Sequence, residues 1–435
     1  MCREMKDSGI EWIGDIPKDW QVLKLRFLGE TKSGLANKKP QDFGHGYPFI
    51  SYKNVYKNMV LDSSYPDLVN STELDRQNYN VLRGDTFFTA SSETIEELGY
   101  ASMCLEDIPN ATYNGFVIRF RPYSFEYYNP NYMKYCFRSD VARGYLVQND
   151  NSITRANLSQ KTLKAMPIII PNNYEQNKIA NYLDRKVSQI DDIISNQESL
   201  IAKYKIYKQS LITETVTKGL NKNVPMKDSG IEWIGEIPSH WEIKSMKYLC
   251  SCNDDSLTNS EDKNMCINYV DISSVTFESG IVNYEEMLFK NAPSRARRVT
   301  QYGDIIISTV RTYLKAIAII PDDKRYVVST GFAVIRAKNI LNRYLDYFIK
   351  SEYFINLVSL YSKGISYPAI DSFDLMNIKI LEPSIDEQEE IANFLDKKCN
   401  AINLSITKKE QLIEKLESYK KSLIYECVTG KREVN

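Results

Sequence analysis

Along two stretches of the chain, seam positions recur at alternating steps of four and three and are mostly apolar. The first runs Ile179, Leu183, Lys186, Ile190, Ile193, Gln197, Leu200, Tyr204, Tyr207, Leu211. The second runs Ile391, Leu395, Lys398, Ile402, Ser405, Lys409, Leu412, Leu416, Tyr419, Leu423. An a/d seam held over about five heptads predicts a long helix with one apolar edge. Each helix should run about 45 residues, roughly 65 Å at ~1.5 Å per residue. Such a helix needs a partner, and the simplest partner is the other copy. A parallel pair in register would set Lys186 against Lys398 and Gln197 against Lys409. An antiparallel pair keeps the two lysines apart, so two antiparallel coiled-coil helices related by a pseudo-twofold are expected. The alternative is that each seam packs on its own globular part.

Ahead of each helix, from about 20 to 170 and from about 241 to 382, the pattern changes to short apolar runs bounded by turn residues, which predict strands. Examples are Phe116 to Ile118, Ile168 to Ile170, Ile305 to Ile307, Ala316 to Ile320 and Val334-Ile335. Tyr132 to Arg138 and Tyr344 to Ile349 predict short helices. Strands dominate without regular strand–helix alternation, so the fold class is α+β, with two mixed modules joined by the long helices. The expected segments are 1–171 and 223–383 for the modules, and 172–222 and 384–435 for the helices.

The halves also repeat in letters. MKDSGIEWIGDIPKDW at Met5–Trp20 returns as MKDSGIEWIGEIPSHW at Met226–Trp241, 221 residues later. EQNKIANYLD at Glu175–Asp184 returns as EQEEIANFLD at Glu387–Asp396, 212 residues later. Between these near-identical flanks the modules align weakly: Gly84-Asp85 with Gly303-Asp304, Asn114 to Arg119 with Thr330 to Arg336, Pro171 with Pro383. One frame therefore carries two sets of loops.

Charge is near balance, 55 Lys plus Arg against 56 Asp plus Glu. That argues against a strongly basic, free-standing nucleic-acid binder but allows one that shares the electrostatic load with partners. The cysteines show no CxxC spacing and no matching positions, which predicts reduced thiols rather than a zinc site. The opening MCREMKDSG has no apolar signal core, and no apolar run reaches the roughly 20 residues of a membrane span. A cytoplasmic protein without membrane contact is expected. The two histidines, His45 and His240, occupy unrelated positions. A His-based triad or metal site used twice is therefore not expected, and no catalytic residue is assigned.

Lys38-Lys39 and the cluster Arg295, Arg297, Arg298 are candidates for phosphate contact, which positions a protein without reading sequence. Loops after the Gly-Asp strands hold groups able to bond base edges: Thr89, Ser91 and Ser92 in the first half, Ser308 and Arg311 in the second. Gln148, Asn149 and Asn151, and Ser362 with Lys363, complete the set. A solvated surface would explain the charged clusters equally well. Gly44-His45-Gly46 and Asn129-Pro130-Asn131-Tyr132 loosely match amino-methyltransferase motifs. The first lacks the glycine spacing of a cofactor loop, and neither recurs in the second half.

The GIEWIG-x-IP-xxW opening, the Gly-Asp strand, the closing Pro and EQ-xxIAN-[YF]-LD segment and the long helix, all occurring twice, resemble the specificity subunit of type I restriction–modification enzymes. The resemblance spans nearly the whole chain. It implies a non-catalytic subunit whose two target-recognition domains bind a two-part asymmetric site on double-stranded DNA. It also implies recruitment of two methyltransferase subunits, joined by restriction subunits. S-adenosylmethionine, ATP and magnesium would then belong to those partners and not to this chain. Domains related by a twofold would meet major grooves about one helical turn, roughly 34 Å, apart. Glu175, Gln176, Ile179 and Leu183, with Glu387, Gln388, Ile391 and Leu395, match the family's helix-start motif. A stand-alone DNA methyltransferase and a coiled-coil scaffold without DNA contact are the alternatives.

Overall fold

The computed structural model describes residues 3–64, 67–149 and 156–434. The two seams form helices of 46 residues, Asn173–Lys218, and 44 residues, Ile385–Val428. Both starts are written locally. The Asn172 side chain accepts from the Glu175 amide at 3.0 Å, and the Ser384 hydroxyl accepts from the Glu387 amide at 3.3 Å. Each cap satisfies one of the orphan N–H groups of a first turn. Gly219 and Gly430, at φ +73° and +72°, end the helices in the left-handed conformation that favours glycine.

The chain divides into two compact units: Met1–Gln197 with Gln411–Asn435, and Glu198–Glu410. In the first unit a sheet has strand order Gly29–Ser33, Val117–Pro122, Thr86–Thr89, Ala101–Cys104, Val60–Leu61. All its pairings are antiparallel except the last. A three-stranded sheet of Thr112–Tyr113, Phe43–Ile50 and Leu68–Val69 accompanies it. In the second unit the corresponding sheet runs Cys250–Cys252, Phe332–Ala337, Ile305–Ser308, Ile317–Ile319, with a second four-stranded sheet beside it in sequence. The short helices form at Pro130–Arg138 and Asn342–Ile349. The architecture is thus α+β, one plan used twice.

Within each unit the two long helices run antiparallel. In the first, Lys420 pairs with Asp191 at 2.6 Å, while Arg432, further along the second helix's direction, meets Tyr182, further back on the first helix. In the second, Lys208 donates to Asn403 at 2.9 Å and the Lys409 ammonium lies 5.9 Å from the Tyr204 ring.

The seam is buried unevenly. Ile179, Leu183, Ile190 and Leu423 enter the core of the first unit; Ile391 and Leu395 enter that of the second. Ile402 is buried, and Tyr204, Leu211 and Leu416 are half-buried. Leu200 and Leu412, at 38% and 40% exposed, are not. The expectation of a continuously covered seam is corrected at these two positions and at Ile193, Tyr207 and Tyr419, which are also exposed. Its ends are covered because module side chains pack there, which also realises the alternative in which a seam packs on its own module.

The repeated flanks become repeated anchors. Trp20 and Trp241, both buried, donate their indole N–H to Glu175 at 2.9 Å and to Glu387 at 3.3 Å. Gln176 and Gln388 are fully buried. Their amides donate to Pro171 and Pro383 carbonyls at 2.9 Å each, and their carbonyls accept from Asn129 and Leu341 amides. Tyr132 reaches the Val428 carbonyl at 3.3 Å, and Tyr344 the Val216 carbonyl at 3.4 Å. The tip of the second helix therefore closes the first unit, and the tip of the first helix closes the second.

Candidate nucleic-acid interface

The Gly-Asp pairs form turns that set the central hairpin of each module. Gly84 and Gly303 have φ +91° and +79°. Asp85, fully buried, accepts from the Leu82 amide and from Arg121 at 2.6 Å. Asp304 accepts from the Gln301 amide and from Arg336 at 2.9 and 2.8 Å. Buried carboxylates persist when paired and hydrogen-bonded. The bond to Asp304 holds the Arg336 guanidinium above its ordinary pKa despite partial burial. These pairs also correct the letter alignment: Arg336 corresponds to Arg121, not Arg119. Strand pairing places Phe120 opposite Thr86 and Ile335 opposite Ile305, so the second strand is shifted by one residue.

Beyond each hairpin the chain rises into a tip. In the first unit the Ala90 amide donates to Phe116 and its carbonyl accepts from Leu158. Ser91–Ser92 pairs with Ala156–Asn157. Thr89 ends a strand with its side chain buried, and Ser92 is buried with its hydroxyl on the Thr94 carbonyl. Ser91 is half-buried, with Tyr52 donating to its carbonyl at 2.6 Å. Gln148 and Asn149 end the helix Asp140–Gln148 exposed, and Asn151 lies outside the described residues.

In the second unit the equivalent tip is fully described. The Thr309 amide donates to Gly331 at 2.8 Å, and the Ile370 amide to Thr309 at 2.9 Å. Lys363 and Ala369 exchange backbone bonds at 2.8 and 2.9 Å, and Thr312 and Ser362 share a hydroxyl bond at 2.9 Å. These contacts knit residues 309–315 to 361–370. Ser308 is a strand end with a buried side chain, its hydroxyl on the Val310 carbonyl. Thr89, Ser92 and Ser308 are thus corrected from loop groups to buried strand groups: the strands run on to where the letters suggested loops. Ser362 is half-buried and donates to Val358. Arg311 is exposed, its guanidinium 5.1 Å from the Tyr367 ring. The Lys363 side chain is 81% exposed, 3.2 Å from Asp374.

The other basic candidates are largely engaged. Lys38 binds Asp75 at 2.9 Å and the Asn70 carbonyl at 2.8 Å. Burial pushes the Asp75 carboxyl up, but the Lys38 and Thr72 bonds more than offset this and hold it below the ordinary range. Lys39 is exposed. Arg295 pairs with Asp271 at 2.6 Å, Arg297 donates to Asn259 at 3.1 Å, and Arg298 is half-buried. Sequence reading missed Lys315, Tyr313, Ile365 and Tyr367 on the second tip. The available signal was an apolar-aromatic run with no helix or strand period.

Tyr132, of the methyltransferase-like Asn-Pro-Asn-Tyr, is a core anchor, and Asn129 caps the short helix. His45 and its flanking glycines lie in an irregular stretch of the strand Phe43–Ile50. No group of three His, Cys, Asp or Glu able to hold a metal occurs among the described residues, and no described helix is long and apolar enough to cross a membrane.

Fold and tips together define a duplicated two-module protein in which one anchored frame presents two different loop sets. A family model described as the type I restriction modification DNA specificity domain matches residues 17–203 and 238–415. The chain belongs to this family: it is a specificity subunit of a type I restriction–modification system, a DNA-recognition rather than a catalytic subunit. A Methanocaldococcus jannaschii protein assigned as the type I restriction enzyme MjaX specificity subunit is 26% identical over 432 residues, covering 97% of this chain and 96% of that one. The MjaVIII specificity subunit of the same organism is 23% identical over 445 residues, covering 96% and 94%. A solved structure concerned with complex assembly and conformational transition of the type I R-M system shares the fold. Its TM-score is 0.71 at 15% identity, over 96% of this chain and 99% of that one.

Proposed function

We propose that the modules at 1–171 and 223–383 each read one half of a two-part, asymmetric site on double-stranded DNA. In this reading the chain brings two methyltransferase subunits to that site, and restriction subunits join them. S-adenosylmethionine, ATP and magnesium act in those partners. The observation that supports this is the contrast inside the molecule: anchors equivalent residue by residue (Trp20/Trp241, Gln176/Gln388, Asp85/Asp304) carry tips that differ. A frame kept while its loops change suits two different targets handled in one way. Lys39, Gln148, Asn149, Arg295, Arg311 and Lys363 remain the exposed polar candidates. Near-neutral charge suits a subunit whose partners supply part of the phosphate grip.

The test is an exchange of residues 20–170 for those of a relative, with the methylated sites mapped in a host carrying chain and methyltransferase. One half-site should change and the other stay. A change in both would refute independent reading. Tight S-adenosylmethionine binding by the isolated chain would favour the stand-alone methyltransferase instead. Failure to select any sequence, with or without methyltransferase, would favour the scaffold.

A further inference from the structure

The second tip carries an unusual combination of strain, charge and exposed apolar surface. Four non-glycine residues have positive φ among the described residues: Asn110, Asn253, Arg311 and Lys315. Asparagine tolerates that region; arginine and lysine reach it only where surrounding structure imposes it. Arg311 and Lys315, at φ +51° and +49°, flank the short turn Thr312–Leu314, whose buried Thr312 is bonded to Ser362. The turn thus holds two basic side chains outward, and no ion pair joins either to a carboxylate among the described residues. Next to them the Lys363–Ala369 backbone pair closes a five-residue apex from Gly364 to Pro368. Gly364 takes φ +104° there. At the apex Ile365 is 103% exposed, and Tyr367, under Arg311, is 67% exposed.

An isoleucine fully in water on a tightly bonded loop has no role in its own core. Flanking cations set in strained backbone surround it with positive charge, which suits a polyanionic partner. A duplex offers both partners: phosphates for the cations, and apolar base edges such as the thymine methyl for the side chain. The geometry points to Ile365 as a base-reading residue of the second module, with Arg311 and Lys315 holding the flanking phosphates. This rests on the DNA-reading function proposed above. The aromatic face of Tyr367 keeps the Arg311 guanidinium directed before DNA arrives, which lowers the ordering cost of binding.

The experiment uses the full chain with its methyltransferase to enrich a random duplex library, followed by affinity and salt titrations on the selected site. Ile365→Ala, which removes only exposed atoms, should relax selection at one position of one half-site, with discrimination there falling about tenfold. The other half-site should be unchanged. Arg311→Gln and Lys315→Gln should keep the selected sequence, weaken binding to all sequences alike, and reduce the salt slope by about one each. An Ile365→Ala chain that selects the same site with the same affinity, or that weakens evenly on every sequence, overturns the inference alone. A wild-type chain that enriches no sequence overturns the DNA reading itself, and this inference with it.

Discussion

Leu423→Ala tests whether the far end of the second helix is part of the first module's core. Leu423 is 1% exposed and packs in the same core as Ile13, Trp20 and Tyr132. The substitution removes three buried carbons, about 2.4 kcal/mol at ~0.8 kcal/mol each. The cavity left behind brings the loss to about 3 kcal/mol, inside the usual range for buried leucines. Leu412→Ala on the same helix is the control. Leu412 is 40% exposed, so the same three carbons, with no closed cavity to add, should cost no more than about 1.4 kcal/mol. Urea unfolding followed by hydrogen exchange reads both. At a slope of about 2 kcal/mol per molar, Leu423→Ala should lower the midpoint of the unit holding residues 3–197 by about 1.5 M. Protection should fall within that range of sequence, and residues 198–410 should keep theirs. Equal losses for the two variants, or a loss confined to residues 198–410, would refute the reasoning.

Gln388→Ala leaves the Leu341 amide and the Pro383 carbonyl without their partner, costing about 1–3 kcal/mol; Gln176→Ala should cost the same in its own unit, both measured by denaturation. Arg336→Gln strips the counter-charge from buried Asp304 and should cost about 3–5 kcal/mol, with partial recovery when Asp304→Asn is added. Burial raises the Glu387 carboxyl, but bonds from His240, Trp241 and Ser384 outweigh it and hold its pKa below the usual 4.5. A depressed folded pKa stabilises the ionised form, so this contribution is present above the unfolded value and lost as pH falls through the folded one. Glu387→Gln should therefore flatten the acid side of the stability–pH curve below about pH 4.5, and an unchanged curve would count against it.

The fold was legible where local chemistry and periodicity agree. The two long helices, their starts after Pro171 and Pro383, and the strands at Ile168–Ile170 and Ile305–Ile307 stand where the letters place them. The middle of the seam was misjudged because a heptad pattern reports an apolar stripe, not what covers it: Leu200 and Leu412 keep the period yet face water. The Gly-Asp pairs were visible as turns, while their partners Arg121 and Arg336 were not, because a buried ion pair across two strands has no local spacing. At the tip, composition drew attention to hydroxyl groups, and burial removed Thr89, Ser92 and Ser308 from the surface. What remains outside is Arg311, Lys315, Lys363 and Ile365; three of them are basic, and the sequence reading had picked out only Arg311 and Lys363.

The letters also divide the duplication differently from the packing. Read along the chain, each copy is motif, module, then helix. In three dimensions the unit begins with a helix tip. Gly219 lies against Trp241, and Lys218 donates to the Ile234 carbonyl, so the first helix runs directly into the module it closes. Gly430 lies against Pro17 and Trp20, and Lys431 donates to the Ile13 carbonyl at 2.7 Å, so the same join is made in the first unit by residues four hundred positions away in sequence. A tip, an opening motif and a helix start are thus packed around one tryptophan in both units. That is why the opening motif is nearly identical in the two halves: it is where three segments must fit, whereas the outward-facing tips bond within their own loops and can change without disturbing that fit.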